Sequence, residues 1–233
     1  REIMAELVSE ERSNGESVPI ITLTDGPLEL YHEPRTDQQF EQKFHQYLSA
    51  LDELSQLGSI TAGYVDRPRA DLVVRLMEMA EPGFQPENRE ERPFAGVTDL
   101  SLFKDLLAPA ERSAVFQLQS SSASHYTGRK SLHFFYLNVG REGKPAIARV
   151  EIPAWVANDV VSLNLLQHVL VDQAHTLGSR PYPYPLLRAH EIAVVKTDDR
   201  EQLTLRIEQE LIRRGMDPFE KSNKQSGKEF EPR

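Results

Sequence analysis

Residues 132–153, LHFFYLNVGREGKPAIARVEIP, constrain the fold more than any other stretch. Two runs rich in β-branched and aromatic residues, LHFFYLNVG and AIARVEIP, flank the short polar segment REGKP, which is the pattern of an antiparallel hairpin. Elsewhere, strand-like and helix-like segments alternate. VPIITLTDG reads as a strand broken by Asp25-Gly26-Pro27, and SITAGYVDRP as a second strand stopped by Pro68. Between them, Phe40, Phe44, Tyr47, Leu48, Leu51 and Leu54 recur at spacings of three and four, so this segment is an amphipathic helix ending at Gly58. Alternation of strand and helix favours parallel pairing, and the hairpin adds antiparallel pairing. The expectation is therefore a mixed β-sheet flanked by helices, in one α/β domain without internal repeats.

Several further segments complete the pattern. REIMAELVSEE reads as a helix with Ile3, Met4, Leu7 and Val8 on one face and no cap before it, which suggests that a longer chain precedes Arg1. ADLVVRLMEMAEPG and DLSLFKDLLAPA are helical, EPGFQPENREERPFAG is a loop, and RSAVFQLQ is strand-like. NDVVSLNLLQHVLVDQAHTLG is a helix capped by Asn158 or Asp159. SRPYPYPLLRAH leads into EIAVVK, read as a strand, and DREQLTLRIEQELIRRG is the last helix. The domain is expected over residues 1–216, with a polar tail at 217–233.

Composition narrows the chemistry. With no cysteine among 233 residues, disulfides, zinc ribbons and thiol nucleophiles are excluded, and a reducing, cytoplasmic setting is the expectation. A net charge of −9 excludes a uniformly basic nucleic-acid surface but not a local basic groove. No apolar run is long enough for a membrane span. P-loop, Gly-x-Gly-x-x-Gly, Gly-x-Ser-x-Gly and His-Glu-x-x-His patterns are all missing.

What remains is a scatter of polar residues at element ends. Asp25 closes an apolar strand beside Gly26; it reads either as a metal-ligating carboxylate held by a rigid sheet or as a plain Asp-Gly turn. Asp66, Arg67, Arg69 and Asp71 cluster at the second strand's end, where Arg suits phosphate and the alternative is a salt-bridged turn. Glu111 and Arg112 precede a strand. Arg149 and Glu151, two apart on a strand, read as the wet face of an antiparallel edge. His190 is one of seven histidines, none in a metal-binding spacing. Oxygen-rich donors of this kind suit Mn²⁺ or Mg²⁺.

Taken in order, the segments LTDGPLEL, GYVDRPRADLVVRLM, TDLSLFKDLLAPAERSAVF, HFFYLNVG, IARVEIPAWVA, YPYPLLRAHEIAVV and SNKQSGK resemble a NurA-domain nuclease of the bacterial type. The resemblance covers nearly the whole chain and implies an RNase H-like fold. It also implies a Mn²⁺-dependent DNA nuclease, typically a homodimer, that processes DNA ends with a HerA-type hexameric ATPase. By that resemblance Asp25 is the family's second catalytic aspartate, His190 its C-terminal histidine and Tyr182 the tyrosine of the Tyr-Pro element. Arg67 matches a Lys or Arg at a strand end, and Glu6, or else Glu2, the helical glutamate. Family members start with a strand bearing a first metal-binding aspartate, for which this sequence has no counterpart, so that N-terminal strand is expected to be missing.

On this basis Glu6, Asp25 and His190 are the expected metal ligands, and Arg67, Arg112 and Tyr182 the expected DNA contacts. The KSNKQSGK tail reads either as a backbone or ATPase contact or as a solvated tail. Two alternatives stand beside the nuclease: a non-cutting subunit that binds DNA or docks the ATPase, and an enzyme acting on small phosphate substrates.

Overall fold

The computed structural model describes residues 1–15, 18–30, 38–81, 92–178, 180–194 and 197–215. The expected polar tail at 217–233, most of the 81–96 loop and the end of the EIAVVK segment lie outside them. The chain divides into two compact units, Arg1–Leu187 and Arg188–Arg233.

The first unit is built on a five-stranded mixed sheet in the order β1-β2-β5-β4-β3. Strand β1 (Ile21–Asp25) runs parallel to β2 (Ile60–Asp66), and helix α2 (Gln38–Gln56) makes the crossover. β2 pairs antiparallel with β5 (Ile147–Pro153), and β5 with β4 (Leu132–Asn138), which is the expected hairpin. β3 (Phe116–Gln117) closes the far edge. The α/β class and mixed sheet agree with the sequence expectation.

Both faces of the sheet are covered, which is why the central strands read as continuous apolar runs. On one face Ala62, Tyr64, Phe135, Leu137, Val150 and Ile152 pack under helix α6 (Val160–His175) through Leu163, Leu166, Leu170 and Ala174. On the other face Phe134, Tyr136 and Ile147 meet Phe44, Tyr47 and Leu51 of α2, Val73 of α3 (Leu72–Ala80) and Phe103 of α4 (Asp99–Leu106). Alternate residues of β4 thus feed opposite cores, as the two-residue period of a strand requires. Asp159 caps α6 by accepting from the amides of Val161 and Ser162. Helix α3 has no cap hydrogen bond from its own Asp71; instead Asp99, fully buried 26 positions later, accepts from the amides of Val73 and Val74. A short helix, α5 (Ala154–Ala157), links β5 to α6. No described helix is long and apolar enough to cross a membrane.

Four local readings need correction. Helix α1 (Glu2–Ser13) forms, but it buries Ala5 and Val8 against Leu54, while Ile3 and Leu7 are exposed. Small Ala5 allows the close approach to α2, so the stripe lies to one side of the largest residues. The RSAVFQLQ segment pairs as a strand only at Phe116–Gln117, with a single bridge between Arg112 and Leu137. Next to that bridge the hydroxyl of Ser113 replaces a carbonyl as acceptor for the Tyr136 amide, 2.9 Å away. The second Tyr-Pro pair opens helix α7 (Tyr184–Ala193), which runs into the EIAVVK segment and makes its first three residues helical rather than strand. Pro185 occupies its second position, where no N–H is needed, and Leu186 and Leu187 donate to the Pro183 carbonyl.

The fourth correction concerns Arg149 and Glu151. They do not face water: Glu151 is 1% exposed and pairs with Arg149 at 2.7 Å. Glu151 lies opposite Gly63 of β2, and the chain after Asp25 folds over that glycine. A Cβ on Gly63 would stand 2.7 Å from both the Gly26 carbonyl oxygen and the Leu28 nitrogen. Across this gap Glu151 accepts from the amides of Leu28, at 2.9 Å, and Glu29. The Tyr47 hydroxyl donates to the Leu28 carbonyl, and the Leu30 amide donates to the Tyr126 hydroxyl at 2.8 Å.

The second unit is described by itself. It contains the end of α7 and helix α8 (Thr197–Arg213), where Glu210 pairs with both Arg213 and Arg214. Leu203, Leu205, Ile207 and Ile212 are exposed on α8.

Removing a buried ion-pair partner leaves an uncompensated charge and costs about 3–5 kcal/mol. Glu151→Ala should therefore lower the stability of the protein by that order, read as a lower urea midpoint. Gly63→Ala should also destabilise, by steric collision rather than by an uncompensated charge. Wild-type midpoints in both variants would show that the turn after Asp25 does not depend on this contact.

Candidate functional site

The C-terminal ends of the two parallel strands carry the candidate site. Asp25 is the last residue of β1 and lies beside Tyr64 of β2; Asp66, two residues on, points to the same side as Tyr64. Both aspartates are exposed, at the rim of the face covered by α6. Gly26 turns the chain immediately after Asp25, with φ of 104°, and its amide donates to the Tyr64 carbonyl at 2.8 Å. The site is therefore attached to the sheet on one side and to the Glu151-bound turn on the other.

Tyr182, from the Tyr-Pro segment, reaches this point. Its hydroxyl donates to Asp25 Oδ1 at 2.8 Å, and its ring stands edge-on to that of Tyr64, 5.6 Å between centroids. Partial burial pushes the Tyr182 phenol well above its usual range; the hydrogen bond to Asp25 and the charges of Asp25 and Asp66 push the same way. It is thus a proton donor to the carboxylate and not a base. Tyr64 is fully buried, and its hydroxyl has no hydrogen-bond partner among the described residues. Burial, then the Asp66 charge and Tyr182, push its phenol up too.

Although Asp66 is exposed as a residue, desolvation at its carboxylate raises its pKa. Arg67 opposes that shift through its charge and its backbone N–H, and Asp25 adds to it. Arg67 itself has φ of 47°, a left-handed conformation rare for a residue with a side chain, just before buried Pro68. The strand end is held in a costly backbone conformation, with the Arg67 charge close enough to act on the Asp66 carboxylate. The neighbouring Asp71 pairs with Arg75 and Arg92, both outside the cluster that the sequence grouped at this strand end.

Of the residues singled out in the sequence, Asp25, Tyr182 and Arg67 come to one end of one sheet. Arg112 does not join them. Its segment lies beyond β4, four strand steps from β1, or about 19 Å at ~4.8 Å per step. There it bonds the Ser113 carbonyl and Asn164 of α6. Glu6 and Glu2 are exposed on α1, with no hydrogen bond or ion pair among the described residues. His190 is exposed in the last turn of α7 and belongs to the second unit. Among the described residues no three His, Asp or Glu side chains form a group able to hold a metal. The donor set present, two carboxylates on one face at neighbouring strand ends, still fits a hard divalent cation taking oxygen ligands.

Sequence reading gave Asp66 no role in the site, although the residue stood in view. Its signal was strand parity: in a parallel pair, the residue two beyond the partner of Asp25 shares its face. That parity is usable only once the register is known.

A family model for the NurA domain matches residues 1–195. No curated protein and no solved structure matches the chain.

A carboxylate whose folded pKa is raised favours the protonated native state, so it contributes stability below its unfolded pKa and loses it as pH rises through the folded value. Ionised Asp66 therefore works against folding at neutral pH. Asp66→Asn should raise the melting temperature at pH 7 in the presence of chelator, and the difference should shrink towards pH 3. A melting temperature that falls at pH 7 would refute the assigned electrostatics.

Proposed function

Because this chain belongs to the NurA-domain family, whose model matches residues 1–195 and supports a nuclease role, we propose that it is a metal-dependent DNA nuclease acting in DNA end processing and repair. The observation that carries the reading is the meeting of Asp25, Asp66 and Tyr182 at the ends of two parallel strands. Asp25 and Asp66 would hold Mn²⁺, or Mg²⁺ in its place, as oxygen donors. A bound metal supplies an activated water and neutralises charge growing on the phosphate.

The remaining work falls to the chain's own groups. Tyr182 donates to one oxygen of Asp25, which fixes the carboxylate's orientation and leaves its other oxygen for a ligand. Arg67, always charged, offers a planar fork to non-bridging phosphate oxygens arriving at the strand ends. In hydrolysis, water oxygen bonds to phosphorus, the bond to the leaving oxygen breaks, and that oxygen takes a proton. Roles for His190 as ligand or proton donor, and for Glu6 as ligand, rest on the family resemblance alone. So do the RNase H-like relationship, the homodimer and partnership with a HerA-type ATPase, while the cytoplasmic setting rests on the cysteine-free composition.

A second reading has one observation in its favour: no three metal-binding side chains converge among the described residues. A subunit that binds DNA or docks the ATPase without cutting would need only the cationic and aromatic parts.

The two readings separate in one experiment. The purified protein should degrade linear DNA with Mn²⁺ and not with chelator. Asp25→Asn should abolish cleavage, and Tyr182→Phe, which keeps the ring but loses the hydroxyl, should slow it by about 10–100-fold, the range for a group that orients a metal ligand. DNA binding without any Mn²⁺-dependent cleavage would favour the non-cutting subunit.

A further inference from the structure

The tip of the β4–β5 hairpin lies at the same end of the sheet as the aspartates. Asp66 of β2 is level with Ala148 of β5, and Ala148 with Leu137 of β4, so the residues joining β4 to β5 extend beyond this line. There Arg141 and Lys144 face each other across the turn, each donating its amide to the other's carbonyl, at 3.1 and 2.9 Å. The turn is tightly closed. A Cβ on Gly140 would lie 2.3 Å from the Lys144 carbonyl oxygen, and the Asn138 side chain accepts from the amides of Gly140 and Ala146. His175, at the end of α6, bonds the Val139 carbonyl at 3.0 Å and ties the helix to the hairpin.

Between hairpin and helix end is a cavity of about 300 Å³, lined by Gly140, Arg141, Lys144, Gly178 and Pro181. No carboxylate lines it, and neither cation has an ion-pair partner among the described residues. In a chain of net charge −9, the described lining thus carries two cations, while Glu142, between them in sequence, is exposed at the turn and does not line the cavity. The cavity borders the segment that reaches the candidate site, because its lining residue Pro181 precedes Tyr182, whose hydroxyl is bonded to Asp25. β5 is two strands from β1, a lateral separation of about 10 Å at ~4.8 Å per step, which a nucleic-acid backbone can span.

The geometry points to a phosphate-backbone subsite in this cavity, in which Arg141 and Lys144 hold a nucleic-acid strand a few nucleotides from the phosphate presented to Asp25 and Asp66. This assignment rests on the nuclease reading for its ligand. The subsite binds the backbone without reading bases, since among the described residues the lining supplies cations and small residues and no aromatic platform. It also explains how an acidic protein approaches a polyanion: the strand meets the positive hairpin before it meets the carboxylates.

The test is the salt dependence of binding to a fluorescently labelled linear oligodeoxynucleotide, in chelator so that nothing is cut. Removing one phosphate-binding cation should reduce the slope of log affinity against log salt by about 0.7–0.9. The Arg141→Ala/Lys144→Ala protein should therefore show a slope shallower by about 1.4–1.8 and at least tenfold weaker binding at low salt. A Lys104→Ala/Arg129→Ala protein carries the same charge change at exposed positions outside the cavity and should keep the wild-type slope. The subsite is overturned if both double variants behave alike, or if inorganic phosphate at matched ionic strength displaces the oligonucleotide, which would indicate a small-anion site. A wild-type protein that neither binds nor cuts DNA would overturn the nuclease reading and the subsite together. Wild-type cleavage with an unchanged slope in the Arg141/Lys144 variant would overturn the subsite alone.

Discussion

The carboxylate of Glu151, buried on the central strand β5, holds the turn that follows Asp25. It accepts from two amides of that turn across the space left by Gly63, while Arg149 supplies the compensating charge. Tyr47 and Tyr126 secure the next carbonyl and amide of the same segment. The result is a strand end whose exit is bonded to the sheet, to α2 and to the 126 region at once. Asp25 can then be exposed without being loose, which a ligand for a cation or a phosphate-handling group requires.

The other side of the site is costly. Desolvation, with the charge of Asp25 adding to it, disfavours ionisation of Asp66, Arg67 sits in a left-handed conformation, and the buried Tyr64 hydroxyl lacks a partner among the described residues. Each feature works against folding, and all lie at the ends of β1 and β2. Such costs persist only where the surroundings over-determine the geometry. Here the parallel β1–β2 ladder and the double-sided core supply that excess. The cationic cavity beside the hairpin adds the attraction that the acidic site lacks.

Much of the fold was legible in the residues because it depends on local chemistry. The apolar spacing of α2, the Asp159 cap of α6 and the REGKP hairpin all act over a few residues, and all form as read. The misreadings share a different cause. Arg149 and Glu151 have the pattern of a wet strand face, yet they are enclosed by α2, α3 and α4, whose arrival no local rule states. EIAVVK has β-branched propensity, but two prolines upstream start a helix that runs through Ala193. Glu6 and Arg112 were chosen by type and order; the described structure leaves the first exposed and puts the second at the opposite sheet edge.

By itself the sequence determined the α/β class, the mixed pairing and Asp25 as a strand-end carboxylate, because strand parity, helical period and turn chemistry act along the chain; Tyr182 stood out only through the family resemblance. Only the tertiary structure decided that Tyr182 reaches Asp25 across 157 positions, that Asp66 shares its face, and that the REGKP turn lies at the same end of the sheet. Those outcomes depend on strand order and register, and these follow from how two cores are filled at once rather than from any one segment's preferences.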